Sequence, residues 1–183
     1  EHLVLEGMTE IEDAVLDGGS SMASMLAELA EMSYSVTSEM ASLILDQAAR
    51  VARRALLLLV HPDRFRLVDG FGEIPGGDRL ATAGHWFARR KASGSLLEAA
   101  VATAATARGP ALGEGADRQV LEVLGGRFPV EAIVLPVAVA GTVVAALWIG
   151  PGDDPEPLAE PADLAAVLAA VAADIGRAGA GRG

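Results

Sequence analysis

The segment His85-Trp86-Phe87-Ala88-Arg89-Arg90-Lys91 sets two aromatic rings beside three cations. Rings and cationic heads at this spacing can stack on and clamp an anionic or aromatic ligand. The plainer reading is an edge strand whose Arg and Lys stay solvated and prevent edge-to-edge pairing. Other chemistry has less to work with. His61 and His85 have no carboxylate at relay or metal-ligand spacing, and His2 falls in an N-terminal linker. There is no cysteine, so there is no thiolate nucleophile, disulfide framework or Cys-ligated metal. No serine stands in a nucleophile-elbow sequence, and no phosphate-binding P-loop occurs. Residues 70–77 spell GFGEIPGG, one position away from a dinucleotide fingerprint and with no helix following, so they read as a loop. Catalysis is not expected, and neither is a metal or a cofactor.

Charge divides the chain more sharply than composition does. The net charge of -11 is concentrated at the start, where residues 1–49 carry ten carboxylates and neither Lys nor Arg. Residues 50–91 reverse this, with nine basic side chains against four acidic ones. The acidic whole speaks against nucleic-acid binding, while the basic middle leaves room for a local anion site or a charged protein contact. Lys91 is the only lysine; Arg in its place, with abundant Ala and Gly, suggests a GC-rich bacterial genome. The chain begins at Glu1 with no signal-peptide pattern, which suggests a piece of a larger cytoplasmic protein.

These residues need elements to position them. Residues 1–19 read as a linker or short helix. Met22, Met25, Leu26, Leu29 and Met32 fall on one helical stripe, and Val36, Met40, Leu43, Ile44, Ala48 and Val51 on a second. A long amphipathic helix bent near Ser35 fits both. The period then changes. Residues 55–60 (ALLLLV) form an apolar strand stopped by His61-Pro62-Asp63, and a second strand follows in which Phe65, Leu67 and Asp69 alternate with Arg66 and Val68. Residues 84–91 suit a third strand, 95–106 an Ala-rich helix, and 108–115 a connection. A short helix capped by Asp117 ends at Gly125-Gly126.

Ala132 to Gly150 then runs without a charge and is long enough to raise the question of a membrane helix. It contains Pro136, the Ala140-Gly141-Thr142 turn signal and many β-branched residues, which favour a hairpin instead. No membrane association is expected. Pro161 opens a last helix with Leu164, Val167, Leu168, Val171 and Ile175 at helical spacing. Residues 179–183 read as a disordered tail. Strands this apolar must be covered on both faces. The first and last helices therefore belong on one face of an antiparallel sheet, and residues 70–130 on the other. Alternation along 142–149 turns Leu147 toward the last helix and Trp148 toward the middle segment.

This arrangement resembles the GAF domain, a sensory and regulatory module of bacterial signalling proteins. The likeness spans about residues 36–178 and rests on ARRALLLLVHPDRFRLVDGFG and on VLPVAVAGTVVAALWIG followed by LAAVLAAVAADIG. LILDQAARVARRALLLLV and residues 118–150 are similar to C-terminal GAF-like domains that follow an N-terminal regulatory domain, in some cases of the PATAN type. The resemblance implies an α+β fold: a sheet of five to six antiparallel strands with the terminal helices on one face. It places the domain at 20–178. No cysteine is present to attach a bilin, and the cyclic-nucleotide constellation is missing. The expected function is a non-enzymatic regulatory domain acting as a homodimer through its terminal helices, or on a protein partner in its pathway. The alternative is a small-molecule pocket for an anionic or aromatic ligand, built from Phe71, His85, Trp86, Arg89, Phe128 and Trp148.

Overall fold

A computed structural model describes residues 36–72, 86–89, 94–111, 115–124, 129, 131–152 and 158–180. The chain divides into two units, Glu1–Ser35 and Val36–Gly183, and the described fold belongs to the second. The expected linker, the Met-rich stripe at 22–32, His85, Arg90, Lys91, Phe128, the glycine pair at 125–126 and residues 181–183 lie outside the described residues; of the tail expected at 179–183, Gly179 and Ala180 instead belong to the last helix, Ala162–Ala180.

Among the described residues six strands form one antiparallel sheet in the order β3-β2-β1-β6-β5-β4. They are β1 Arg54–Val60, β2 Arg64–Phe71, β3 Trp86–Ala88, β4 Ala107–Gly109, β5 Ala132–Val139 and β6 Thr142–Gly150. Four helices accompany them: α1 Ser38–Ala48, α2 Leu96–Thr103, α3 Gly115–Leu124 and α4 Ala162–Ala180. The apolar run at 132–150 is the hairpin β5–β6, and no described helix is long and apolar enough to cross a membrane. Its two-residue turn has Ala140 and Gly141 both at positive φ, 49° and 82°. Positive φ at both central residues is the type I′ pattern that matches strand twist.

The sheet is buried on both sides, as its lack of polar alternation requires. On one face Ala41, Ile44, Leu45 and Ala48 of α1 and Leu164, Leu168, Val171 and Ile175 of α4 pack on Ala55, Leu57, Leu135, Val137, Leu147 and Ile149. On the other, Leu97 and Ala100 of α2 and Val120, Leu121 and Leu124 of α3 cover Leu56, Leu58, Phe65, Leu67, Val134 and Trp148. The expected two-sided packing and the opposite placement of Leu147 and Trp148 are therefore observed.

Several local expectations change. The first helix does not run through residue 37: Thr37 is an extended N-cap whose Oγ1 accepts from the Met40 amide, and the helix ends at Ala48. Leu43, assigned to its buried stripe, is 49% exposed. The edge strand β4, Ala107–Gly109, takes in the start of the connection expected at 108–115. Bulges explain two face reversals. Leu57 pairs with Asp69 and Leu58 with Leu67, so Val68 is an extra residue and Asp69 stands opposite Leu57 rather than beside Phe65 and Leu67. Val144 is likewise the unpaired residue of β6, and it packs on the helical face instead of sharing Trp148's side.

Candidate functional site

Trp86 lies on the edge strand β3, opposite Arg66 of β2, and is 37% exposed. Its neighbour Phe87 pairs with Phe65, and both point into the core under α2 and α3. Alternation therefore puts Trp86, Arg66 and Arg64 on the other side of the sheet. There the Arg64 guanidinium carbon sits 4.1 Å from the Trp86 ring centroid and that of Arg66 5.5 Å from it. The His61 ring meets Trp86 edge-on at 5.0 Å. Two cations and an imidazole thus surround a half-open indole.

Arg89 has a different use. Its guanidinium donates from Nε and Nη2 to both carboxylate oxygens of Glu98, the shortest contact being 2.7 Å, and from Nη1 to the His61 carbonyl at 2.8 Å. The Arg89 and Glu98 side chains are 9% and 5% exposed. This buried fork ties the end of β3 to α2 and to the β1–β2 turn. It is a structural pair rather than a ligand clamp, because every face of the guanidinium that hydrogen-bonds well is directed inward.

The cover over the second face is fastened by more polar contacts. Ser95 caps α2 by accepting from the Glu98 amide. Asp117, expected to cap its own helix, instead accepts from the amides of Leu96 at 2.8 Å and Leu97 at 3.5 Å, capping α2 from α3. Burial pushes its carboxyl up to about 6, against the pull of those two amides. Gln119 of α3 pairs its side-chain amide with both the N–H and the carbonyl of Ala88, closing the open edge of β3. At the far end of β1 the buried Arg54 donates to the carbonyls of Pro151 at 2.6 Å and Gly152 at 3.2 Å, pinning the chain that leaves β6.

Trp148 fills the centre of the second face and is fully buried. Its ring lies over Gly150, where an added Cβ would come within 2.5 Å of it. Its indole Nε1 has no hydrogen-bond partner among the described residues. Phe71 packs on the opposite, helical face. The described members of the expected pocket are therefore not gathered: Phe71 and Trp86 stand on one side of the sheet, Trp148 on the other, and Arg89 is held by Glu98. Arg54, Glu98, Asp117 and Gln119 were not singled out from sequence for these contacts. Ser95 and Glu98, at capping-box spacing, were the one available signal; the remote pairings had none.

Among the described residues no three His, Asp or Glu side chains gather as metal ligands. The outer side of the helical layer mixes apolar residues with the exposed charges Glu39 and Asp46 of α1 and Asp163, Asp174 and Arg177 of α4. Leu43 projects from α1, and Ala165, Ala166, Ala169, Ala170 and Ala173 line the exposed side of α4.

No family model and no curated protein matches the chain. Solved structures do. The GAF domain/HD domain protein from Geobacter sulfurreducens is similar at TM-score 0.57 and 13% identity, over 76% of this chain and 92% of that one. The GAF domain of a phosphoenolpyruvate-protein phosphotransferase from Acinetobacter gives 0.53 and 18%, over 87% and 95%. The GAF domain of a two-component sensor histidine kinase from Bacillus halodurans gives 0.53 and 16%, over 78% and 92%. At such identities the likeness concerns the fold, and the fold is GAF-like.

Proposed function

We propose that this GAF-like domain is a non-enzymatic sensory or regulatory module of a cytoplasmic signalling protein, working as a homodimer through its terminal helices. The observation that carries the reading is the pair of apolar features on the outer side of the helical layer, Leu43 half exposed on α1 and a run of exposed alanines along α4. Alanines lose almost no side-chain entropy on burial and let a second layer approach closely. The exposed leucine on α1 supplies an apolar anchor. Similar folds occurring in a sensor histidine kinase and a phosphotransferase protein support a signalling role. A signal would then pass along α1 and α4 as a change in how two copies pack, and a regulatory partner in the same pathway would read it.

Light scattering coupled to size exclusion tests this directly. The chain is expected to run as a concentration-dependent dimer, and Leu43→Asp combined with Ala169→Glu as a monomer with an unchanged far-UV spectrum. A wild-type chain that stays monomeric at high micromolar concentration removes the reading.

One observation favours the ligand-binding alternative: the Trp148 indole N–H, buried on the second face without a partner. An orphaned buried donor costs about 1–3 kcal/mol, which a small ligand or water with an acceptor would recover. Thermal-shift screening with metabolites would reveal such a ligand as added stability.

A further inference from the structure

Four exposed residues share one stripe on the outer side of α1. Glu39, Leu43, Asp46 and Arg50 follow at steps of four, three and four, which at about 3.6 residues per turn keeps them within about 60° around the helix axis. Arg50 belongs to the stripe although α1 ends at Ala48. The Ala49 amide donates to the Leu45 carbonyl at 2.9 Å and the Arg50 amide to that of Gln47 at 3.2 Å, so the chain keeps a helical course. None of the three charged members forms an ion pair among the described residues, not even Asp46 and Arg50, which stand four positions apart. The helix dipole accounts for an acid at the start of a helix and a base at its end. It does not call for both on one azimuth with a half-exposed leucine between them.

We infer that this stripe meets the same stripe of a second copy with the two α1 helices antiparallel, Arg50 pairing with Glu39 of the partner subunit. The inference rests on the homodimer reading above and adds an orientation and a register to it. A two-fold axis sets residue i against j and j against i. With the axis midway between Leu43 and Asp46, Glu39 and Arg50 face each other reciprocally, about 8 Å to either side of it. The two Leu43 side chains then meet beside the axis, about 4.5 Å apart in height along the helices. A parallel pair would instead stack Glu39 on Glu39, Asp46 on Asp46 and Arg50 on Arg50, all of like charge. Charge complementarity of this kind fixes orientation and register more than it adds affinity. The antiparallel arrangement does bring the two Asp46 carboxylates to the other flank of the axis, where Arg50, four residues on, offsets part of the repulsion. The neighbouring α4 shares the core with α1 and exposes only alanines between Asp163 and Asp174, so it imposes no competing charge pattern.

The chain has no cysteine, so single introduced cysteines report the register directly. Oxidising an equimolar mixture of the Glu39→Cys and Arg50→Cys chains is expected to give a cross-linked dimer, since a disulfide needs Cα atoms within about 7 Å. Glu39→Cys alone should stay uncross-linked, because its two sites lie about 16 Å apart along the helices. Sedimentation equilibrium supplies an independent arm. Glu39→Arg and Arg50→Glu should each weaken dimerisation at least about tenfold. Combined in one chain they should restore it, which excludes misfolding as the cause of the loss. Asp46→Asn should tighten the dimer, and rising salt should loosen the wild type. A dimer that cross-links through Glu39→Cys alone, that fails to cross-link in the mixture, or that the charge reversals leave unchanged overturns the antiparallel register while the homodimer reading stands. A wild-type chain that is monomeric at high micromolar concentration overturns both.

Discussion

Arg89 and Glu98 share a buried fork, and neither charge can be removed alone without stranding the other. Arg89→Met is expected to cost about 3–5 kcal/mol in urea unfolding, the usual penalty for an orphaned buried charge. Replacing both by Met should recover much of that loss, and a double variant no better than the single one would deny the pairing. Asp117 makes a pH-dependent contribution of opposite sign from an ordinary ion-paired carboxylate. Its folded pKa of about 6 lies above the ordinary 3.8, because desolvation outweighs the two amides. The folded chain therefore keeps a proton that the unfolded chain releases. That stability is fully present below about pH 4 and is lost as pH rises through 6, a change of about 3 kcal/mol at most. In Asp117→Asn this component should vanish. Parallel stability profiles of variant and wild type between pH 4 and 7 would contradict the assignment. Neither residue's role shows in the linear order, since Arg89 and Glu98 are nine positions apart and Asp117 caps a helix it does not belong to.

The β5–β6 hairpin is where local sequence and element agree most closely, and its turn also carries a visible cost. Ala140 adopts φ 49°, a left-handed conformation that costs an L-residue with a Cβ about 1 kcal/mol. Ala140→Asn supplies the residue that type I′ turns prefer. It should stabilise the domain by about 0.5–1 kcal/mol, read as a higher melting temperature, while Gly141→Ala should lower it. A neutral Ala140→Asn would mean that the turn is not the type seen. The elements that resisted reading were those with weak local signals. Three residues of β4 are too few to alternate, and they become a strand only because β5 offers them a ladder. The bulges at Val68 and Val144 follow from pairing with a neighbour, so the alternation on either side could not foretell them.

Across the whole molecule one sheet separates two cores, and adjacent residues of β6 serve different ones. Leu147 packs beneath α1 and α4, and Trp148 beneath α2 and α3. Leu147→Ala is expected to lower unfolding free energy by about 2–5 kcal/mol, the range for truncating a fully buried leucine. Trp148→Phe should be milder in stability, because it keeps an aromatic ring over Gly150 and removes an unpaired buried donor. A larger loss from Trp148→Phe than from Leu147→Ala would mean that the second core, not the helical one, holds the sheet together.

The sequence by itself determined the order of strands and helices apart from β4, the two-sided burial of the sheet and the opposite facing of Leu147 and Trp148. Each of these follows from hydrophobic period and turn residues within about a dozen positions. The likeness to GAF domains was also legible, since it rests on that same order. Only the tertiary structure decided what the charged side chains do. Arg89 turned inward to Glu98, Gln119 reached the edge of β3, and Arg64 and Arg66 closed around Trp86 while Phe71 went to the opposite side from Trp148. A polar contact depends on which surfaces meet and how deeply they are buried, and neither quantity is set by neighbours along the chain.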